Sequence, residues 1–313
     1  MNSQASSQSL SRHALWLIVG LNLFWGLNWP MIKLAVNEIP VLSFRAACVY
    51  GGATGLFAIA IASRQSLAVP RGAWPALLLC ALFNITGWHL LGAYGVSLLN
   101  SGRAAILGFT MPLWAVLFGA WMLGERITAR HAAGLALGMV ALALLFSSEI
   151  AQVQAAPIGT LAMLGAALSW AVGTIIMKRW PVRMPATAFT AWQFSLGGLP
   201  MLVGALLFNA DSLHAVSIPA LTGLAYNIFI AFIFCHWAWV RLIAVAPAGL
   251  ASLAILGVAP VGVFSGMLVL GETPQWQDYA ALLLVMAALY IVLRPKNTGG
   301  AAEQAAPAEG AKR

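Results

Sequence analysis

Charge is what this sequence has least of. Of 313 residues only 8% are Asp, Glu, Lys or Arg, where soluble domains carry about 25%. Acids are the scarcer sign, eight against sixteen Lys and Arg, and the shortage excludes an ordinary water-soluble globule. Cysteine is nearly absent too. Cys48, Cys80 and Cys235 stand far apart, without C-x-x-C spacing and each inside an apolar run. That excludes a disulfide framework and predicts small buried hydrophobes. No Gly-X-Y period occurs and aromatics make up 10% of the chain, so collagen and disorder are excluded as well. The net charge of +8 is spread singly between apolar runs rather than clustered on one face, so nucleic acid is not an expected partner.

Signatures of chemistry are also missing. There is no G-x-x-x-x-G-K-[ST] phosphate loop, no H-E-x-x-H and no Cys/His cluster. No nucleophile has a base at a recognisable spacing. The expectation is a protein with no cofactor, no metal and no enzymatic activity. A membrane-embedded enzyme or sensor assembled from dispersed residues is the alternative of another class.

What is present is apolar length: 61% of the residues are hydrophobic. A helix crosses the bilayer core with roughly 20 residues. Punctuation by Pro, Gly, Asn and charge divides the chain into ten such stretches, at 14–34, 41–62, 74–94, 101–122, 131–147, 157–178, 186–208, 218–240, 247–270 and 277–293. Residues 1–13 are polar, Ser-rich and followed by no small-residue cleavage site, which predicts an uncleaved cytoplasmic N-terminus. Residues 296–313 are rich in Ala, Gly, Glu and Lys and read as a disordered cytoplasmic tail. With the N-terminus inside, thirteen Lys and Arg fall on the cytoplasmic side and only Lys33, Arg45 and Arg103 outside. This positive-inside bias predicts both termini in the cytoplasm.

The chain also repeats itself. Trp25 and Lys33 are matched by Trp170 and Lys178, and Pro40, Phe44 and Gly52 by Pro185, Phe189 and Gly197, all at an offset of 145. Pro112 before Gly124-Glu125 answers Pro260 before Gly271-Glu272, with a slip of two or three residues. A duplication with repeats at 14–147 and 157–293 follows. Five spans in each half force the second to enter the membrane from the opposite face. The expected fold is therefore an all-α polytopic membrane protein, ten transmembrane helices as two inverted five-helix repeats, an architecture suited to rocking about a central site.

Polar and aromatic residues within the spans are the candidate substrate-binding set: Trp25, Asn28, Asn84, Trp88, His89, Tyr94, Trp170, Thr174 and Asn227. Aromatic faces offer stacking or cation–π contact and amides offer hydrogen bonds. Such a lining suits a small zwitterion or an aromatic compound better than a phosphate, which calls for paired cations at mid-depth. An Asn or Thr in a span serves equally well as glue between helices. His89 reads as either a structural histidine or a proton carrier, and His236 as structural. Lys33, Arg45 and Arg103 fall near outer helix ends, where snorkelling explains them. All eight acids sit in loops, helix ends or the tail, leaving no mid-depth carboxylate to carry a coupling proton.

Pro112 and Pro260 lie near the middle of spans four and nine, where each is expected to kink its helix. They are candidate paired hinges, a static kink being the other reading. Small-xxx-small pairs, Gly51/Gly55, Gly134/Gly138 and Gly262/Gly266, predict close helix packing within one subunit or between two.

Two inverted sets of five spans, Trp25-Gly26 and Pro30 in the first span, and Gly-Glu closing spans four and nine resemble the drug/metabolite transporter superfamily. Within it the chain is similar to EamA-type permeases up to about residue 295, and more narrowly to the YddG-type exporters of aromatic and other amino acids. The resemblance implies a bacterial inner-membrane carrier that exports amino acids through a central cavity, as monomer or homodimer in the lipid bilayer. Exporters of aromatic or cationic drugs or of other metabolites are the alternative within transport. The chain departs from the small multidrug pumps, whose first span holds a buried Glu.

Overall fold

The computed structural model describes residues 12–151, 156–209, 216–245 and 257–293, which form helices and, among the described residues, no strand. The expected polar segment 1–13 (save its last two residues), the tail 296–313 and residues 247–256 of the expected ninth span lie outside the described residues. The helical runs are α1 (Arg12–Val36), α2 (Val41–Ala62), α3 (Arg71–Leu98), α4 (Ser101–Leu123), α5 (Ala129–Ala151), α6 (Ala156–Arg179), α7 (Ala186–Phe208), α8 (218–245), α9 (Val258–Leu270) and α10 (Trp276–Leu293). Seven of them, α1 to α4 and α6 to α8, are long and apolar enough to cross a bilayer. The apolar parts of the other three are shorter, Ala129–Leu144, Val258–Leu270 and Trp276–Ile291. The protein is a multi-pass membrane protein. Phe208, Ile218, Leu268 and Leu283 are at least 70% exposed, an arrangement that lipid tolerates and water does not.

Local chemistry sets the boundaries, and it does so twice. Pro40 and Pro185 each stand just before a helix in extended conformation, and their carbonyls accept the N–H of Phe44 and Phe189, both at 2.9 Å. Gly124 and Gly271 end α4 and α9 in the left-handed region, φ 67° and 65°. The next residue in each case, Glu125 or Glu272, returns its N–H to the carbonyl of Gly119 or Gly266, six residues back, so the left-handed glycine folds the chain over the helix end and satisfies a leftover carbonyl. Both α3 and α8 carry π-helical stretches, Ala81–Gly87 and Tyr226–Cys235. These begin 145 residues apart, and nothing in the hydrophobic pattern announces them.

Packing follows the same duplication. α1 lies on α8 and α9 as α6 lies on α3 and α4; α2 meets α7, α4 meets α9 and α5 meets α10. Adding five to each number maps this set of pairs onto itself. The close approaches are made by small residues inside one chain: Gly51 and Gly55 of α2 face Ile228 and Ile233 of α8, and Gly262 of α9 faces Ala105 and Trp29.

Pro112 does not act as a kink in mid-helix. Pro112 has no N–H to offer Gly108, so α4 breaks at Phe109-Thr110 and restarts at Met111 with Pro112 in the first turn, where a missing N–H costs nothing. Thr110 stitches the break, its hydroxyl donating to the Leu107 carbonyl at 2.6 Å and accepting from Trp114 Nε1 at 3.1 Å. Pro260 is the third residue of the described part of α9, and the residues before 257 lie outside the description.

Snorkelling is corrected for all three cations near the outer helix ends. Lys33 turns inward and caps α3, donating to the carbonyls of Val96, Ser97 and Leu99 at 2.8–2.9 Å, groups left over at a helix C-terminus. Arg103 pairs with Asp278 at 2.8 Å, both nearly buried. Arg45 is 3% exposed.

Candidate functional site

A cavity of about 650 Å³ lies between the two halves, a size typical of small-molecule sites. Both halves line it, α1 to α5 from one and α6, α8, α9 and α10 from the other. The repeat mates Trp25 and Trp170 both face it. Trp170 packs against Trp88 of α3 with ring centroids 5.2 Å apart. Trp25 packs against His236 and Trp239 of α8 at 5.6 and 6.0 Å. Behind them His89, Phe194, Phe232 and His236 form one aromatic knot, His89 lying 4.6 Å from Phe232.

Of the residues the sequence proposed, Trp25, Asn28, Trp88, His89, Trp170 and Thr174 line the cavity, as does Pro112. Thr174 spends its hydroxyl on the Trp170 carbonyl of its own helix, at 2.9 Å. Asn84, Tyr94, Asn227 and Pro260 are not part of the lining. Asn84 is buried in the α3–α6 seam against Gly173, its amide reaching Met177 Sδ at 3.7 Å. Asn227 is fully buried and bonds to the Gly223 carbonyl one turn back. Tyr94 is 41% exposed. For the two asparagines the reason is periodicity: a polar residue on an apolar helix satisfies itself on whichever face it occupies, and sequence does not say which face is wet.

The structure adds residues that sequence reasoning missed. His236, read as structural, lines the cavity while its Nδ1–H donates to the Ala231 carbonyl at 2.9 Å. Arg45 lines it too. Its Nε and Nη1 are buried with no hydrogen-bond partner, and its guanidinium carbon lies 4.9 Å from the centre of the Phe44 ring. A signal was available, since Arg45 shares a helix face with Cys48, Val49 and Gly52, small residues that mark a packed surface.

Among the described residues access is one-sided: the exposed part of the lining is confined to Glu125, Arg126, Ile127 and Lys178, where the turn after α4 meets the end of α6 and Glu125 pairs with Lys178. At the far end Ile32, Trp29, Arg45 and Val258 are all buried. Beyond them Glu272 is bound to the first turn of α4, accepting from Ser101 N–H, Ser101 Oγ and Gly102 N–H at 2.7, 2.9 and 3.2 Å. A carboxylate at a helix N-terminus is electrostatically favoured. No group of His, Cys, Asp or Glu able to hold a metal occurs among the described residues.

The sequence pattern of the EamA-like transporter family matches residues 12–147 and again 157–294. An uncharacterized transporter, YoaV of Bacillus subtilis, is 26% identical over 277 residues, covering 88% of this chain and 94% of its own. A probable amino-acid metabolite efflux pump of Salmonella typhimurium is 26% identical over 305 residues, 90% of this chain and 95% of its own. The aromatic amino acid exporter YddG of Ancylobacter novellus is 26% identical over 183 residues, 56% of this chain and 63% of its own.

Proposed function

The chain belongs to the EamA-like transporter family, and on that footing we propose that it exports neutral amino acids, aromatic ones foremost, across the bacterial inner membrane by alternating access. The observation that carries this reading is the cavity itself: tryptophan-lined, built by both halves, open at one end and closed at the other. The proposed topology has ten spans, as two inverted five-helix repeats at 14–147 and 157–293 with both termini cytoplasmic. In that threading the mouth beside Glu125 and Lys178 faces the cytoplasm, as an exporter loading its substrate requires. Trp25, Trp88 and Trp170 would stack on the solute, with Asn28 and His89 as polar contacts. The break before Pro112 would flex as the halves rock. The names of two relatives, an amino-acid metabolite efflux pump and an aromatic amino acid exporter, agree with this choice of substrate. The absence of a carboxylate at mid-depth favours facilitated movement without a coupled proton.

The test is counterflow in proteoliposomes loaded with unlabelled Trp, Phe, Met or Thr, each assayed with its labelled form. Exchange that persists without a pH gradient is expected. No uptake of any of the four defeats the substrate assignment, and strict dependence on a proton gradient defeats the facilitator. Impermeant labelling that put residues 148–156 on the same side as the termini would defeat the inverted threading.

A further inference from the structure

Among the described residues Arg45 is a charge without a counter-charge. It stands in the second turn of α2, 3% exposed, on the wall of the cavity, and two of its three guanidinium nitrogens are buried without a hydrogen-bond partner. Arginine keeps its proton in proteins, so burial cannot be relieved by neutralising it, and a buried cation demands an anion. The acids whose side chains are described are all engaged elsewhere. Glu38 binds Ser217, Glu125 binds Lys178, Glu272 binds the start of α4, and Asp278 binds Arg103. The Phe44 ring beneath the guanidinium supports the cation from one face and leaves its edge donors unused.

We infer that Arg45 is the anion-binding group of this cavity and that the transported solute presents a carboxylate to it. The inference rests on the transport reading above and narrows it to a class: carboxylates bearing an aromatic or apolar side chain. The planar fork of a guanidinium matches a carboxylate in two parallel hydrogen bonds. The tryptophans around the cavity supply the apolar and aromatic surface for the rest of the molecule. Asn28 Oδ1, buried in the lining of the same cavity without a partner, is an acceptor for an α-ammonium. It is neutral, so the amino group contributes less than the carboxylate. Cationic solutes lacking an acid are disfavoured, because Arg45 repels them and Glu125 at the mouth is already paired with Lys178.

The experiment titrates purified full-length protein with L-phenylalanine, N-acetyl-L-phenylalanine, L-phenylalaninamide and 2-phenylethylamine, reading tryptophan emission, with sodium chloride as the ionic control. The two carboxylates are expected to bind saturably and the two compounds without one about tenfold or more weakly, the factor for a lost charge-assisted hydrogen bond. Arg45→Gln should abolish the difference and Arg45→Lys retain part of it. Amide or amine binding as tightly as the acids overturns the inference. So does a carboxylate preference that survives in Arg45→Gln, or the absence of saturable binding by either acid. A response to chloride alone reassigns the site to a small inorganic anion and overturns it too. Should Arg45→Gln fail to fold, the ligand series on the unmodified protein decides by itself. Carboxylate binding without counterflow would sink the transport reading while leaving Arg45 in its role.

Discussion

Oε1 of Glu272 accepts the backbone N–H of Ser101 at 2.7 Å, fastening the turn between α9 and α10 to the first turn of α4 across 171 residues of sequence. The contact lies beyond the buried end of the cavity, on the far side from Glu125 and Lys178. Its repeat mate Glu125 is instead exposed at the open mouth. One repeat thus holds its glutamate in a closed arrangement while the other does not.

Glu272→Gln keeps the shape and removes the charge, weakening a set of hydrogen bonds worth about 1.5–3 kcal/mol each when one partner is ionised. With Cys48, Cys80 and Cys235 replaced by Ala and Ile32 by Cys, an impermeant thiol reagent applied from the Glu272 side should label several-fold faster in the Gln variant. Equal rates would show that Glu272 does not hold this end shut.

Trp170 meets Trp88 at 5.2 Å and both face the cavity. An aromatic pair contributes about 0.5–1.5 kcal/mol beyond its buried area. Trp170→Leu should raise the KM for Phe and Trp several-fold while changing that for Thr little, measured by counterflow. A uniform loss for all substrates would assign Trp170 to packing.

Pro112→Ala restores an N–H that can reach Gly108, letting α4 run on through the Phe109-Thr110 break. Folding should survive, with the thermal midpoint held or slightly lowered, because the unfolded chain regains the freedom that proline denied it. Counterflow should slow. Unchanged rates would remove the hinge.

Gly197 packs so closely on α3 that an added Cβ would lie 2.5 Å from the Ala81 carbonyl oxygen and from Ile85 Cβ. Gly197→Ala should cost about 1–3 kcal/mol through overpacking. Gly72→Ala, with no atom within 4 Å of the new methyl, should leave the melting curve in place. Thermal unfolding of both variants in detergent checks this.

Two ion pairs should behave oppositely. Arg103 and Asp278 are 10% and 6% exposed, and Asp278 also accepts the Gln275 N–H at 2.8 Å. Asp278→Asn removes the negative charge from a buried ion pair, at a cost of about 3–5 kcal/mol. Lys178 and Glu125 are 60% and 45% exposed, and Glu125→Gln should change stability by about 0–1 kcal/mol. The same unfolding assay separates them.

Much of the fold was legible because it rests on local rules. Pro40 and Pro185 stand before their helices, Gly124 and Gly271 end theirs, and the offset read from letters reappears as the same hydrogen bonds made twice. The candidate site was legible only in part. Trp25, Trp88 and Trp170 reach the cavity, while Asn84 and Asn227 are absorbed by neighbouring helices and Tyr94 is outside the lining. The π-helical stretches in α3 and α8 shift the register of every residue after them, His89 and His236 included, and no pattern of apolar residues encodes that shift.

Helix length, helix ends and the duplication were determined by the sequence alone, since backbone hydrogen bonding and apolar length are properties of consecutive residues. Which face of each helix looks inward was decided only by the tertiary structure. These helices are apolar nearly all the way round, so amphipathicity gives no direction. Lys33, Arg45 and Arg103, all near helix ends, could have turned to the membrane surface. Partners on other helices drew Lys33 and Arg103 inward, and the cavity wall holds Arg45.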